Sequence, residues 1–230
     1  FHNNPINILG SKTINERMSL LKKCEYIFFN SKWTKKQFFK DINEENYYSK
    51  FGICYQSTNK SKVDLKKKEN LITFVGKLNT AKGYDIFGNA IIKILKKHSN
   101  WRSIVIGDEP REKLFFKHKN FKIYSFKDNN YVLNLLKKSS ISVACARWDE
   151  PFGRTSLEAS SMGCATIITN KGGLIETTKF PIILKKLNST SLYKIINDLI
   201  INSSYRKKMQ KLNYNNFFLT HSYVSKIIDK

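Results

Sequence analysis

From Leu71 onward the hydrophobic positions fall into two alternating rhythms. "LITFVG" is a short β-branched run ending in glycine, and "YDIFGNAIIKILKKH" then sets Tyr84, Phe87, Ile91, Ile94 and Leu95 at helical spacing. The alternation continues with "RSIVIGD" as a strand and "EPREKLFFKHK" as a helix opened by Pro110, then "FKIYSF" as a strand and "NNYVLNLLKKS" as a helix. After these come "ISVACA" as a strand, "TSLEASSMG" as a helix stopped by Gly163, "CATIIT" as a fifth strand and "FPIILK" as a sixth. Strand and helix in this order predict parallel strands joined by crossover helices, an α/β fold with a Rossmann-like sheet.

The two ends read differently. "ERMSLLKKCEYIFFNSKWTKKQFFKDI" predicts helix, strand, helix, and "FGICYQS" another strand, too little to close a core alone. Between these and the main unit, "TNKSKVDLKKKEN" is charged and lacks apolar periodicity. The expected organisation is therefore the tail end of another domain at 1–57, a linker at 58–70, the main domain at 71–220 and a C-terminal tail at 221–230. The stretch from "LYKIINDLII" to "NNFFL" predicts helices broken near Asn202 and Ser203.

Composition narrows this picture only slightly. The 230 residues are 41% hydrophobic and 13% aromatic, enough for one substantial core, and the first residue is Phe1, as expected of a processed chain or a piece of a longer one. No apolar run approaches the roughly 20 residues of a membrane span, so the expected location is cytoplasmic. Cys24, Cys54, Cys145 and Cys164 are irregularly spaced and signal neither a zinc site nor a disulfide framework. Lysine and arginine number 41 against 18 acids, a formal charge of +23 that would suit polyanionic partners. The lysines are scattered in twos and threes where helices end, a pattern that also serves helix dipoles and solvation.

In a parallel sheet, ligands bind beyond the carboxyl ends of the strands. Three segments fall there. In "VGKLNTAKG", Gly76 allows a close turn, and Lys77 and Lys82 flank a helix start, which suits a pyrophosphate or leaves two solvated loop charges. In "GDEPREK", Asp108 and Glu109 are placed to cap the helix expected next. In "RWDEPFGRTSLEAS", Glu150 lies in the loop, Gly153 at the turn, the amides of Arg154 and Thr155 at an open helix end, and Glu158 one turn inside. Glu158 could hold a ribose diol or simply answer the helix dipole.

Taken in order, "FVGKL", "KGYDIFGNAI", "EPFGRTSLEASSMGCATI" and "GGLIE" resemble the C-terminal nucleotide-sugar-binding domain of GT-B fold glycosyltransferases of family 4, the group 1 type. The two glutamates with seven residues between them match that family's E-x7-E motif, and the resemblance covers about residues 24 to 220 and implies that 1–57 is a partial second Rossmann-like domain. It implies transfer of a sugar, of hexosyl type, from a nucleoside diphosphate with retention of configuration, without a metal or a separate cofactor. By the resemblance, Lys77 and Lys82 bind the donor diphosphate and Glu150 contacts the sugar. The backbone of Phe152, Gly153, Arg154 and Thr155 meets sugar and phosphate, Glu158 holds the ribose, and Ser125 and Phe126 meet the base. "FHNNP" resembles an active-site segment of the family's N-terminal domain, which makes His2 a second catalytic candidate beside Glu150.

The implied partners are a nucleotide-sugar donor and a saccharide or lipid-linked acceptor, with peripheral contact to an anionic inner-membrane face. The rival class is a basic nucleic-acid- or anionic-membrane-binding protein without catalysis. Against nucleic acid, the chain lacks basic-aromatic RNA motifs and zinc-finger spacing.

Overall fold

The computed structural model describes residues 1–228, so the last two positions of the tail at 221–230 lie outside the described residues. The main sheet has six parallel strands: β3 (Glu69–Val75), β4 (Arg102–Ile106), β5 (Phe121–Tyr124), β6 (Ser139–Ala144), β7 (Ala165–Ile168) and β8 (Ile182–Ile183). Their order is β5-β4-β3-β6-β7-β8. The chain builds outward from β3 to β5, then crosses to the other side of β3 to start β6. The crevice between the carboxyl ends of β3 and β6 is thus the topological switch point, where such sheets bind ligands.

Helices α3 (Tyr84–Lys97), α4 (Asn129–Lys138), α5 (Arg154–Ser161), α6 (Ser189–Ile201) and α7 (Ser203–Asn215) flank the sheet. One core combines Ile72, Phe74, Val105 and Ile141 with Phe87, Ile91 and Ile94 of α3 and Leu192 and Ile196 of α6. A second core joins Leu71, Ile104 and Ile106 with Val132 and Leu136 of α4 and Ala159 of α5. Strands covered on both faces explain the near-continuous burial of β6 and β7. The predicted break falls at Asn202, whose amide closes α6 and whose Oδ1 accepts from Tyr205 N at 2.9 Å to open α7.

The helix expected over 109–119 does not form: the residues between β4 and β5 are irregular. The charges at Arg111, Glu112 and Lys113 are followed by the apolar run Leu114–Phe116 with no return at helical spacing. An extended path instead lays Leu114 and Phe116 on the first core, the Phe116 ring at 5.5 Å from that of Tyr84. Asp108 and Glu109 accordingly cap no helix; Glu109 binds Arg111 and the Nδ2 of Asn79.

The N-terminal segment contains α1 (Ile14–Lys23), β1 (Ile27–Phe29), α2 (Lys32–Phe38) and β2 (Phe51–Ile53), with β1 and β2 paired in parallel. Thr13 and Glu16 form a reciprocal capping box on α1, and Ser31 caps α2. Small as it is, the segment has its own core of Leu21, Ile27, Phe29, Phe38 and Phe39. In the stretch at 58–70, Val63 is buried, and β3 already begins at Glu69. At the other end α8 (His221–Ile228) reaches back, its His221 Nδ1 2.8 Å from Ser57 Oγ.

Candidate functional site

Two adjoining lobes open at the switch point and share Val75, Gly76, Arg154 and Thr155. The first, about 420 Å³, is lined on one side by Lys82, Trp148, Glu150 and the turn Phe152–Thr155. On its other side stand His2, Asn3, Asn30 and Gln56 of the N-terminal segment. The second, about 570 Å³, is lined by Lys77, Gly107, Phe126, Lys127, Asn129 and Glu158 among others.

The loop from Leu78 to Gly83 is fixed by side chains from three segments. Asn79 Oδ1 accepts from Lys82 N at 2.9 Å, and Glu112 accepts from Thr80 N at 2.8 Å. Arg147 forks onto Asp85 at 2.6 and 2.7 Å while donating to Thr80 O at 2.6 Å, and its own amide donates to Ala81 O at 2.8 Å. That guanidinium holds the Asp85 carboxyl below its ordinary range. Gly83 ends the loop in the left-handed region, φ 74°, where a Cβ would drive into the carbonyl of Cys145. With its backbone fixed in this way, Lys82 reaches across the first lobe and ion-pairs with Glu150, its ammonium 5.3 Å from the centre of the Trp148 ring.

The loop that carries Glu150 is held from both sides. Glu150 O accepts from Gly173 N at 2.6 Å. Pro151 O accepts from Ser31 Oγ at 2.6 Å and Thr34 Oγ1 at 3.1 Å, both from the start of α2. The same helix start gives its Lys32 and Trp33 amides to Glu176 at 2.8 and 2.9 Å, and Tyr55 adds its hydroxyl at 3.1 Å. Burial first, then the Glu176 carboxylate, pushes the Tyr55 phenol upward.

At Gly153 the chain enters α5 with φ 116° and no side-chain cap, so the first amides of α5 are left for whatever occupies the cleft. Phe152 is buried against Tyr55, Leu157 and Phe217, and can offer the cleft only backbone. Glu158 is 4% exposed, and its Oε1 accepts from Asn129 Nδ2 at 2.7 Å and Arg154 Nε at 2.8 Å.

The structure therefore gathers His2, Lys82, Glu150 and the 152–155 turn in one lobe, and Lys77, Phe126 and Glu158 in the other. Arg154 gives its Nε to Glu158 and lines both lobes. Phe126 is 80% exposed at the rim, and Ser125 lines neither lobe. Asn79, Asn129, Arg147, Trp148 and Glu176 escaped the sequence reading. For Trp148 a signal existed, an aromatic two residues before Glu150 in a loop, and for Asn79 its place three residues before Lys82; Asn129, Arg147 and Glu176 act across long sequence distances. Among the described residues, no three His, Cys, Asp or Glu side chains gather as a metal site, and no helix is long and apolar enough to cross a membrane.

A parallel sheet with this order and a lysine–carboxylate cleft at its switch point, faced by the edge of a second unit, has the architecture of a GT-B protein. The structure of Anabaena Alr3699/HepE in complex with UDP and glucose superposes with a TM-score of 0.76 over 100% of this chain and 69% of that one, at 15% identity. The C-terminal domain of a glycosyl transferase group 1 family protein (LpcC) from Francisella tularensis is 25% identical, with a TM-score of 0.57 over 70% of this chain and 92% of that one. By sequence, the spore coat protein SA of Bacillus subtilis is 26% identical over 160 residues, 62% of this chain and 42% of that protein. The pattern of the family described as glycosyl transferases group 1 matches residues 56–216, and the chain belongs to that family. It spans between 31% and 43% of the length of the curated relatives it matches.

Proposed function

We propose that this chain carries the donor site of a glycosyltransferase, which moves a hexosyl group from a nucleoside diphosphate to a saccharide or lipid-linked acceptor with retention of configuration. The observation that carries the reading is the two-lobed cleft, with Lys82, Glu150 and the uncapped start of α5 in one lobe and Glu158 in the other. Lys82, Lys77 and the α5 amides neutralise the leaving diphosphate by charge-assisted hydrogen bonds, in place of a divalent cation. Glu150 faces the sugar, Glu158 the ribose, and Phe126 with the backbone at Ser125 the base. His2, on the opposite wall, faces the reacting centre from the acceptor side. The UDP and glucose bound by the Anabaena neighbour support a uridine or related nucleotide as the donor's handle. Retention rests on the E-x7-E resemblance, and the anomeric configuration of a product, read by NMR, decides it.

The test is calorimetry of the intact chain with UDP, GDP and ADP, each with magnesium and again with a chelator. One of them binds, with affinity unchanged by the chelator, and Glu158→Gln weakens it. No heat with any of the three overturns the donor reading. Affinity that ignores Glu158 but falls steeply with salt points instead to a polyanion surface.

A further inference from the structure

Glu158 enters the cleft with one of its two oxygens already taken. Oε1 accepts from both Asn129 Nδ2 and Arg154 Nε, at 2.7 and 2.8 Å. An ionised carboxylate oxygen has two lone-pair sites, so this oxygen is filled, and Oε2 is left as the acceptor. A vicinal diol pairs best with a carboxylate when each hydroxyl meets a different oxygen, and with Oε1 filled that two-oxygen fit is closed to it.

The second acceptor stands beside it. A carboxylate only accepts, so the Asn129 amide must turn its NH₂ toward Glu158, and its carbonyl oxygen then faces away. That oxygen takes no hydrogen bond among the described residues. Asn129 and Glu158 line the same lobe. Asn129 is the first residue of α4, where capping is done by its neighbour: Asp128 Oδ1 accepts from Tyr131 N at 2.8 Å. The Asn129 side chain is therefore not used to close the helix, and its backbone is fixed.

Resting on the donor reading above, we propose that Asn129 is a second ribose contact, whose amide oxygen takes one ribose hydroxyl while Glu158 Oε2 takes the other. Together they select ribonucleotides: a missing hydroxyl leaves one of the two acceptors without a donor.

Calorimetry on the intact chain tests this with the best-binding of UDP, GDP and ADP and with its 2′-deoxy and 3′-deoxy forms. The wild type binds each deoxy form about tenfold more weakly than the ribonucleotide. Asn129→Ala binds the ribonucleotide about tenfold more weakly, no longer distinguishes it from one of the deoxy forms, and still disfavours the other. Asn129→Ser, which keeps a polar side chain of smaller reach, is measured alongside in case the alanine variant is unstable. If both variants weaken the ribonucleotide and both deoxy forms by the same factor, Asn129 only props Glu158 and the proposal is wrong. If the wild type binds none of the three diphosphates, the donor reading has failed first and this proposal falls with it.

Discussion

Neutralising Lys82 and neutralising Glu150 should move nucleotide affinity in opposite directions. In the cleft the two side chains are paired, with the Lys82 side chain 29% and the Glu150 side chain 12% exposed. A diphosphate that recruits Lys82 must displace Glu150, so the ion pair competes with the nucleotide. Two unit charges at about 4 Å attract by about 4 kcal/mol at an effective dielectric of 20, but desolvation and side-chain ordering leave pairs near the surface worth about 1 kcal/mol net. Glu150→Gln removes that competitor and a negative charge near the phosphates, so the nucleoside diphosphate binds about fivefold tighter. Lys82→Gln removes a charge-assisted contact of about 2 kcal/mol and weakens binding about thirtyfold. In the double variant the gain from Glu150→Gln shrinks, because no lysine remains to be released, and the shortfall measures the coupling. Calorimetry at fixed ionic strength reads all four proteins. If Glu150→Gln binds the diphosphate as weakly as Lys82→Gln does, Glu150 is not a competitor and the Lys82–Glu150 pair has no bearing on binding.

Glu176→Ala removes the acceptor for two α2 amides and the Tyr55 hydroxyl; a loss of about 1 to 2 kcal/mol is expected by chemical denaturation, and a loss below a few tenths would contradict the docking described. Gly83→Ala combines a left-handed backbone with a collision against the Cys145 carbonyl and should lose about 3 kcal/mol or fail to fold; Gly10→Ala, at φ 87° with open space around its Cα, should lose only about 1 kcal/mol. Equal losses at the two glycines would refute the steric argument. Arg147 holds Asp85 below its ordinary 3.8, so in acid the folded chain binds fewer protons than the unfolded one. The pair's contribution is complete above pH 3.8 and disappears as pH falls through the lower folded value. Asp85→Asn should therefore melt below wild type at neutral pH and converge with it in strong acid, whereas a constant gap would show that the charge is irrelevant.

The elements that sequence predicted well are those whose instructions are local. Strands β3 to β7 each bring a short apolar run bounded by a turn or helix cap, and helices α3 and α4 bring 3.6-residue spacing closed by lysines. The segment after β4 failed because Pro110 and a cluster of charges imitate a helix start, while the preference of Leu114 and Phe116 for the first core is a tertiary matter. The same distinction divides the site. Glu150, Gly153 and Glu158 were legible because one turn and one helix carry all three. Asn129 lies 29 residues before Glu158 on a different helix, and Glu176 lies 144 residues after the Lys32 amide it accepts. No local pattern encodes such pairs.

These distant contacts also assign a purpose to the N-terminal segment that its small core does not suggest. Ser31 and Thr34 hold the carbonyl of Pro151, the residue after Glu150, and Glu176 returns the contact by closing the helix on which those hydroxyls sit. Between them the 149–153 turn is pinned to the main sheet through Gly172 and Gly173 and to the second unit through α2. Lys82 and Glu158, by contrast, are positioned wholly by the main domain: Asn79 and the Arg147–Asp85 fork hold the loop of the first, Asn129 and Arg154 the carboxylate of the second. The Lys82 loop and the Glu158 carboxylate thus depend on different parts of the chain from the turn that carries Glu150. On the donor reading proposed above, a change in how α2 seats on Gly172–Thr177 would move Glu150 relative to Lys82, so the placement of the sugar would be set where the two units meet.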